Sequence, residues 1–263
     1  MTPLVLASFR FGSGFLGTLR AYAVATRHIF IRGYSRMAEM VKFPSNGSEG
    51  QGYLAIPASG SGPGVVVLQE WWGVNDQIKE VCDRFASEGF VALAPDIYRG
   101  VVTKEPDEAG KLMMQLNIEQ AAKDMSGATA FLAAHDAVTS KGVGVVGFCM
   151  GGALALWLAT LQPELVDAVA PYYGVAGWPS PPDFSLLRAP VQGHYAEIDD
   201  FAGPAAVAAM QAELTELGKD HEFFVYPGTE HAFTNHHRPE VYDRDATEAA
   251  WARTVAFFRA NVT

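Results

Sequence analysis

Cys149 sits in Gly147-Phe148-Cys149-Met150-Gly151-Gly152, between the apolar run Val143-Gly144-Val145-Val146 and the helix-like Ala153-Leu154-Ala155-Leu156-Trp157-Leu158-Ala159. The pattern predicts a strand, a sharp turn and a helix with a thiol at the apex. Small residues on both sides are needed there, because the turn is strained and the helix must pass close to the strand. A helix starting at Met150 would aim its free N–H groups and positive dipole end at Cys149, favouring thiolate and an adjacent oxyanion. Nucleophilic catalysis also needs a base and a group to orient it. Asp199 follows the short apolar stretch that includes Val191, and His231 follows the strand-like Glu222-Phe223-Phe224-Val225-Tyr226. Their order and spacing fit a Cys-Asp-His triad, with Asp200 as the alternative acid.

These residues need an alternating framework to bring them together. From Glu39 onward the chain predicts a hairpin, Met40–Phe43 and Gly52–Ile56 around Asn46-Gly47. Strands follow over about Val65–Gln69, Val91–Ala94, Val143–Gly147, Ala168–Tyr172, Val191–His194 and Glu222–Tyr226. Helices are expected over Asp76–Glu88, Ile118–His135, Met150–Leu161, Ala205–Leu217 and Ala246–Asn261. Val101–Pro106 and Pro179–Pro182 are expected loops. The alternation predicts an α/β fold with a mostly parallel sheet and helices on both faces.

Four blocks, Gln69-Glu70-Trp71-Trp72-Gly73-Val74-Asn75, Ala94-Pro95-Asp96-Ile97-Tyr98, the cysteine-bearing turn and Gly228-Thr229-Glu230-His231-Ala232-Phe233, resemble the dienelactone hydrolase family. The resemblance runs from about Glu39 to the C-terminus. It implies an α/β-hydrolase fold and cysteine-dependent hydrolysis of lactones or small activated esters, the activity of a carboxymethylenebutenolidase. It further implies Cys149 as nucleophile, His231 as base, Asp199 as orienting acid and Glu70 as the carboxylate that holds the resting thiol. The bland reading of Glu70 is a cap for the helix after Gly73. The backbone N–H groups of Trp71 and Met150 are the implied oxyanion donors. No cofactor and no metal is implied.

The pocket is less sharply defined. Family members that bind the carboxylate of dienelactone do so through arginines, and one of those positions is Asn235 here. Arg99 or Arg238 could take over that role. Trp71, Trp72, Tyr98, Tyr172 and Phe233 suggest aromatic walls for a flat or apolar acyl group. Other readings are a carboxylesterase or thioesterase with a different substrate, a non-catalytic member of the fold, and a thiol-redox protein. The last would want a resolving cysteine, whereas Cys82, the other cysteine, belongs to a different predicted element and suits a small core residue. His194, His236 and His237 have no companion carboxylate at ligand spacing and are expected to be packed or solvated.

The 263 residues, 49% hydrophobic and 18% charged, suffice for one well-cored domain. A net charge of −10 argues against nucleic acid or anionic membrane as a partner. A small-molecule lactone or ester is the expected partner, with the chain a monomer or weak homodimer. Cysteine usage points to a reducing context. Residues 1–38 contain Arg10, Arg20, Arg27, Arg32 and Arg36 but no Asp or Glu. They form an N-terminal extension before the 39–263 domain, disordered or a leader. If Met37 is the initiator the protein is cytoplasmic, and if the segment is a transit peptide it belongs in an organelle matrix. No run approaches the ~20 apolar residues of a membrane span.

Overall fold

The computed structural model describes residues 37–263 apart from Asn46 and Pro179. The leader and alternative-start readings concern residues 1–38, of which 1–36 lie outside the described residues. Strands β1 (Met37–Ser45) and β2 (Ser48–Ile56) pair antiparallel from Met37↔Ile56 to Ser45↔Ser48, and Gly47 takes φ +92° at the turn. Met37 and Ala38, ahead of the expected hairpin, already pair with Ile56 and Ala55 of β2.

The remaining strands are β3 (Gly62–Leu68), β4 (Val91–Pro95), β5 (Val138–Phe148), β6 (Val166–Tyr172), β7 (Val191–Ile198) and β8 (His221–Glu230). They join one eight-stranded sheet in the order β1-β2-β4-β3-β5-β6-β7-β8. Every pairing from β4 onward across β3 to β8 is parallel. The central strands are continuous apolar runs because both faces are covered. The two-residue pleat divides them: Val66, Leu68, Val143 and Val145 enter one core, while Val65, Val67, Val146 and Phe148 enter the other.

Helices α1 (Asp76–Ser87), α2 (Pro106–Met114), α3 (Ile118–Ala133), α4 (Met150–Leu161), α5 (Pro204–Glu216) and α6 (Arg244–Asn261) complete the fold. Met125, Leu132, Leu154 and Leu158 of α3 and α4 pack in the first core, and Ile78, Cys82, Phe85, Trp251 and Phe258 of α1 and α6 in the second. α4 carries no charged residue and is buried around nearly its whole circumference, as a helix pressed between strand ends requires.

α2 is absent from the sequence expectation, which ends its loop at Pro106. Pro106 in the first helical turn followed by Asp107 and Glu108 is a start signal, but Ala109 is the helix's one buried residue and leaves almost no apolar period. β5, β7 and β8 all run longer than expected. β7 and β8 lie side by side, and an irregularity between Ala196↔Tyr226 and Ile198↔Glu230 lets β8 run ahead at their shared end. Asp199 and His231 are the residues next after these two strands. Among the described residues no helix is long and apolar enough to cross a membrane.

Candidate active site

Cys149 lies between β5 and α4 at φ +56° and ψ −118°, a conformation costing a non-glycine residue about 1–3 kcal/mol. Its amide donates to Tyr172 O at 3.0 Å, and its carbonyl accepts Gly152 N–H at 2.9 Å. The neighbouring glycines are required sterically. A Cβ at Gly147 would lie 1.9 Å from Gly151 O, and one at Gly151 would lie 2.4 Å from Leu68 O. Cys149 is the N-cap residue of α4, yet its side chain caps nothing, so the half-buried thiol stays available. Met150 is the first helical residue, whose amide has no acceptor within the helix. The Trp71 amide likewise donates no hydrogen bond among the described residues.

His231 Nδ1 bonds Asp199 Oδ2 at 2.8 Å. The other carboxylate oxygen of Asp199 accepts the Phe201 and Ala202 amides at 2.7 and 2.8 Å. Burial works to raise the Asp199 pKa, but the His231 hydrogen bond and charge and the two amides together hold it below the ordinary value. Burial also opposes the imidazolium of His231. The Asp199 hydrogen bond and the Cys149 sulfur outweigh it and raise the imidazole pKa to about 10. His231 Nε2 is buried and has no hydrogen-bond partner, which leaves it free for a proton-transfer partner. Asp200 is exposed and makes no bond to His231.

Glu70, 2% exposed, lies just past the end of β3. Its Oε2 accepts Asn235 Nδ2 at 2.8 Å and its Oε1 accepts the Tyr173 hydroxyl at 3.2 Å. Tyr173 also shares a 2.6 Å hydrogen bond with Thr234. Burial raises the Glu70 pKa, with Asn235, His231, Tyr173 and Arg238 opposing. The carboxylate of Glu70 is held by Tyr173 and Asn235 and makes no hydrogen bond to the Cys149 thiol among the described residues. Nor does Glu70 cap α1; Asn75 does, accepting Ile78 N–H at 3.1 Å.

The sequence profile of the dienelactone hydrolase family matches residues 51–262. The chain belongs to this family. "Protein usf" of Aquifex pyrophilus is 40% identical over 233 residues, covering 86% of this chain and all of that protein. The "Putative carboxymethylenebutenolidase" of Aquifex aeolicus is 37% identical, covering 85% of this chain and 98% of that one. The crystal structure of a "Putative Dienelactone Hydrolase" from Klebsiella pneumoniae superposes with TM-score 0.77 at 28% identity, over 86% of this chain and 99% of that one. The fold is thus that of an α/β-hydrolase, and the chain is a hydrolase acting on ester bonds.

This dienelactone hydrolase family member has a cleft of about 560 Å³ whose lining includes Trp71, Trp72, Lys104, Phe201, Asn235 and Arg238. Trp71 and Trp72 meet edge to face at 5.0 Å, and the Phe201 ring lies 4.9 Å from that of His231, so the cleft reaches the side of His231. Tyr98 is buried with its hydroxyl 3.4 Å from Met150 Sδ, and burial and the nearby Cys149 push its pKa up.

Tyr98 and three more of the expected pocket residues do not line this cleft. Arg99 is held by the buried Asp124 at 2.9 Å and lies outside the cleft. Tyr172 turns into the second core, its hydroxyl 2.7 Å from Thr254 and its ring against His194. Phe233 is fully buried against Tyr173 and Tyr226. His194 is a core residue bonded to Tyr226 and Thr254, and burial lowers its pKa to about 3. Cys82 is fully buried in α1, where burial pushes its thiol up. His236 and His237 are exposed, and Glu80 of α1, far from them in sequence, lies 2.8 Å from one and 3.0 Å from the other. Lys104, Phe201 and Tyr173 escaped notice in the sequence, although Tyr173 stands next to the Tyr172 chosen there.

Proposed function

We propose that Cys149, His231 and Asp199 act as nucleophile, base and orienting acid in hydrolysing lactones or small activated esters through a thioester. The observation that carries this reading is the juxtaposition at the strand ends: a thiol on a strained turn, and an imidazole fixed by Asp199 with its second nitrogen unpartnered. His231 takes the thiol proton, and the Cys149 sulfur adds to the substrate carbonyl. The Met150 and Trp71 amides receive the resulting oxyanion. Collapse expels the alkoxide or enolate, protonated by the imidazolium, and leaves an acyl thioester. Water deprotonated by His231 then attacks the thioester, releasing the acid and the thiol.

A thiolate leaves a tetrahedral intermediate more readily than an ordinary alkoxide, so the reaction favours a stabilised leaving group such as an enolate. The cleft suits a flat unsaturated substrate between aromatic walls. Lys104 and Arg238 line it, and Lys104 makes no ion pair among the described residues. A substrate carboxylate fits there against Lys104, with Arg238, already paired with Glu240 at 2.9 Å, beside it.

The test is a panel of dienelactone, a neutral enol-lactone and an aryl ester. Lys104→Ala is expected to raise KM for the carboxylate-bearing lactone about tenfold, the scale of one charge-assisted hydrogen bond. The neutral substrates should keep their KM. An equal loss on all three would rule out a carboxylate anchor, and no turnover of any would overturn the hydrolytic reading.

A further inference from the structure

Glu80, His236 and His237 have no part in the proposed reaction, yet they converge. The Nε2 atoms of both imidazoles point to the same carboxylate oxygen of Glu80, at 2.8 and 3.0 Å, and all three ligand atoms lie within 4.8 Å of one another. Adjacent histidines in a strand would face opposite ways. Here a tight turn prevents that, with Asn235 accepting the His237 amide through its side chain at 3.1 Å and the Arg238 amide through its carbonyl at 2.9 Å. The two rings stand nearly perpendicular, 77° apart with centroids at 4.5 Å. Their lone pairs can therefore converge on one point without stacking.

Tetrahedral coordination with ligand bonds of about 2.0–2.1 Å places neighbouring donor atoms roughly 3.3 Å apart. The observed separations from Glu80 need to open by only a few tenths of an ångström to admit an ion. The residues are about half exposed, which leaves an entry path and a coordination position for water. A second observation points the same way. Glu80 and His236 also border a cavity of about 120 Å³ whose lining includes Gln77, Thr234 and Trp251. Ordered water in this cavity would supply the remaining ligand.

We propose that Glu80, His236 and His237 bind a divalent late transition metal of the Zn²⁺ class at the rim of the substrate cleft. Two imidazoles and one carboxylate select such ions over Mg²⁺ and Ca²⁺, which take oxygen ligands. His237 also lines the cleft, and Asn235, which holds the histidine turn, bonds Glu70. The bound ion ties α1 to the segment that follows His231.

Isothermal titration with ZnCl₂ tests this in the full chain carrying Cys149→Ala, so that a thiolate–imidazole site cannot contribute. The expected result is saturable binding of one ion per chain and a Tm raised by several degrees. In the same background His236→Ala, His237→Ala and Glu80→Gln should each weaken Zn²⁺ binding by about tenfold or more. All three sites are solvent-exposed, and circular dichroism reports whether each variant folds. MgCl₂ should give no saturable heat. Zinc binding unchanged by all three substitutions, or no saturable binding at all, would overturn the proposal; both outcomes are independent of whether Cys149 is the nucleophile.

Discussion

Cys149→Ala is expected to lower kcat on any substrate of the panel by roughly 10⁴- to 10⁶-fold, the scale seen when a covalent nucleophile is removed from a group that acts as a unit. The fold should survive, because alanine meets the same backbone strain and the lost sulfur comes from a half-buried position. Everything else that supports the reaction stays in place. The Met150 amide still opens α4, and His231 remains bonded to Asp199. The comparison of steady-state rates with far-UV circular dichroism separates lost chemistry from lost structure. Activity within tenfold of wild type would transfer the nucleophile's role elsewhere.

Asp199→Asn should cost roughly 10³- to 10⁴-fold in kcat, whereas Asp200→Asn should leave the rate near wild type. The difference follows from how Asp199 is held. The Phe201 and Ala202 amides both bond one of its carboxylate oxygens. In the asparagine variant these donors keep the side-chain carbonyl, so the amide NH₂ faces His231 Nδ1. That forces Nδ1 to accept, puts the proton on Nε2 and removes the base. The exposed Asp200 touches none of these groups. The reverse ranking in a kcat comparison would assign the orienting role to Asp200.

Much of this was legible in the sequence because it is local. Glycines around Cys149 and the strand-like runs before Asp199 and His231 mark positions along one chain, and the α/β alternation places those positions at strand ends. The helix Met150–Leu161 was readable to the residue, since it is apolar throughout and starts at the turn. What escaped depends on which face a side chain takes or on what another element brings. Tyr172 and Tyr173 both enter the second core, because a φ of +37° at Tyr173, just past β6, breaks the strand alternation, and no periodicity says which of them meets Glu70. Arg99 looked available until folding set it against Asp124. Lys104 enters the cleft from the segment before α2, a helix whose weak apolar period concealed it. Glu80 is far from His236 and His237 in sequence, so no spacing rule could join them.

The Glu70 arrangement gives the site a second feature. A buried carboxyl group with a raised pKa is bonded by Tyr173 and Asn235 beside the cleft, where arginine was expected from the family pattern. With a neutral amide there, the cations lining the cleft are Lys104 and Arg238, the latter paired with Glu240.

The central claim is a covalent thioester on Cys149, and intact-mass and peptide spectrometry after rapid acid quench of an aryl ester reaction tests it most directly. A transient mass increase equal to the acyl group, confined to the Cys149 peptide and removed by hydroxylamine, is the predicted result. Turnover with no acylated species at any quench time, or an adduct on a different residue that is lost as product forms, would contradict it.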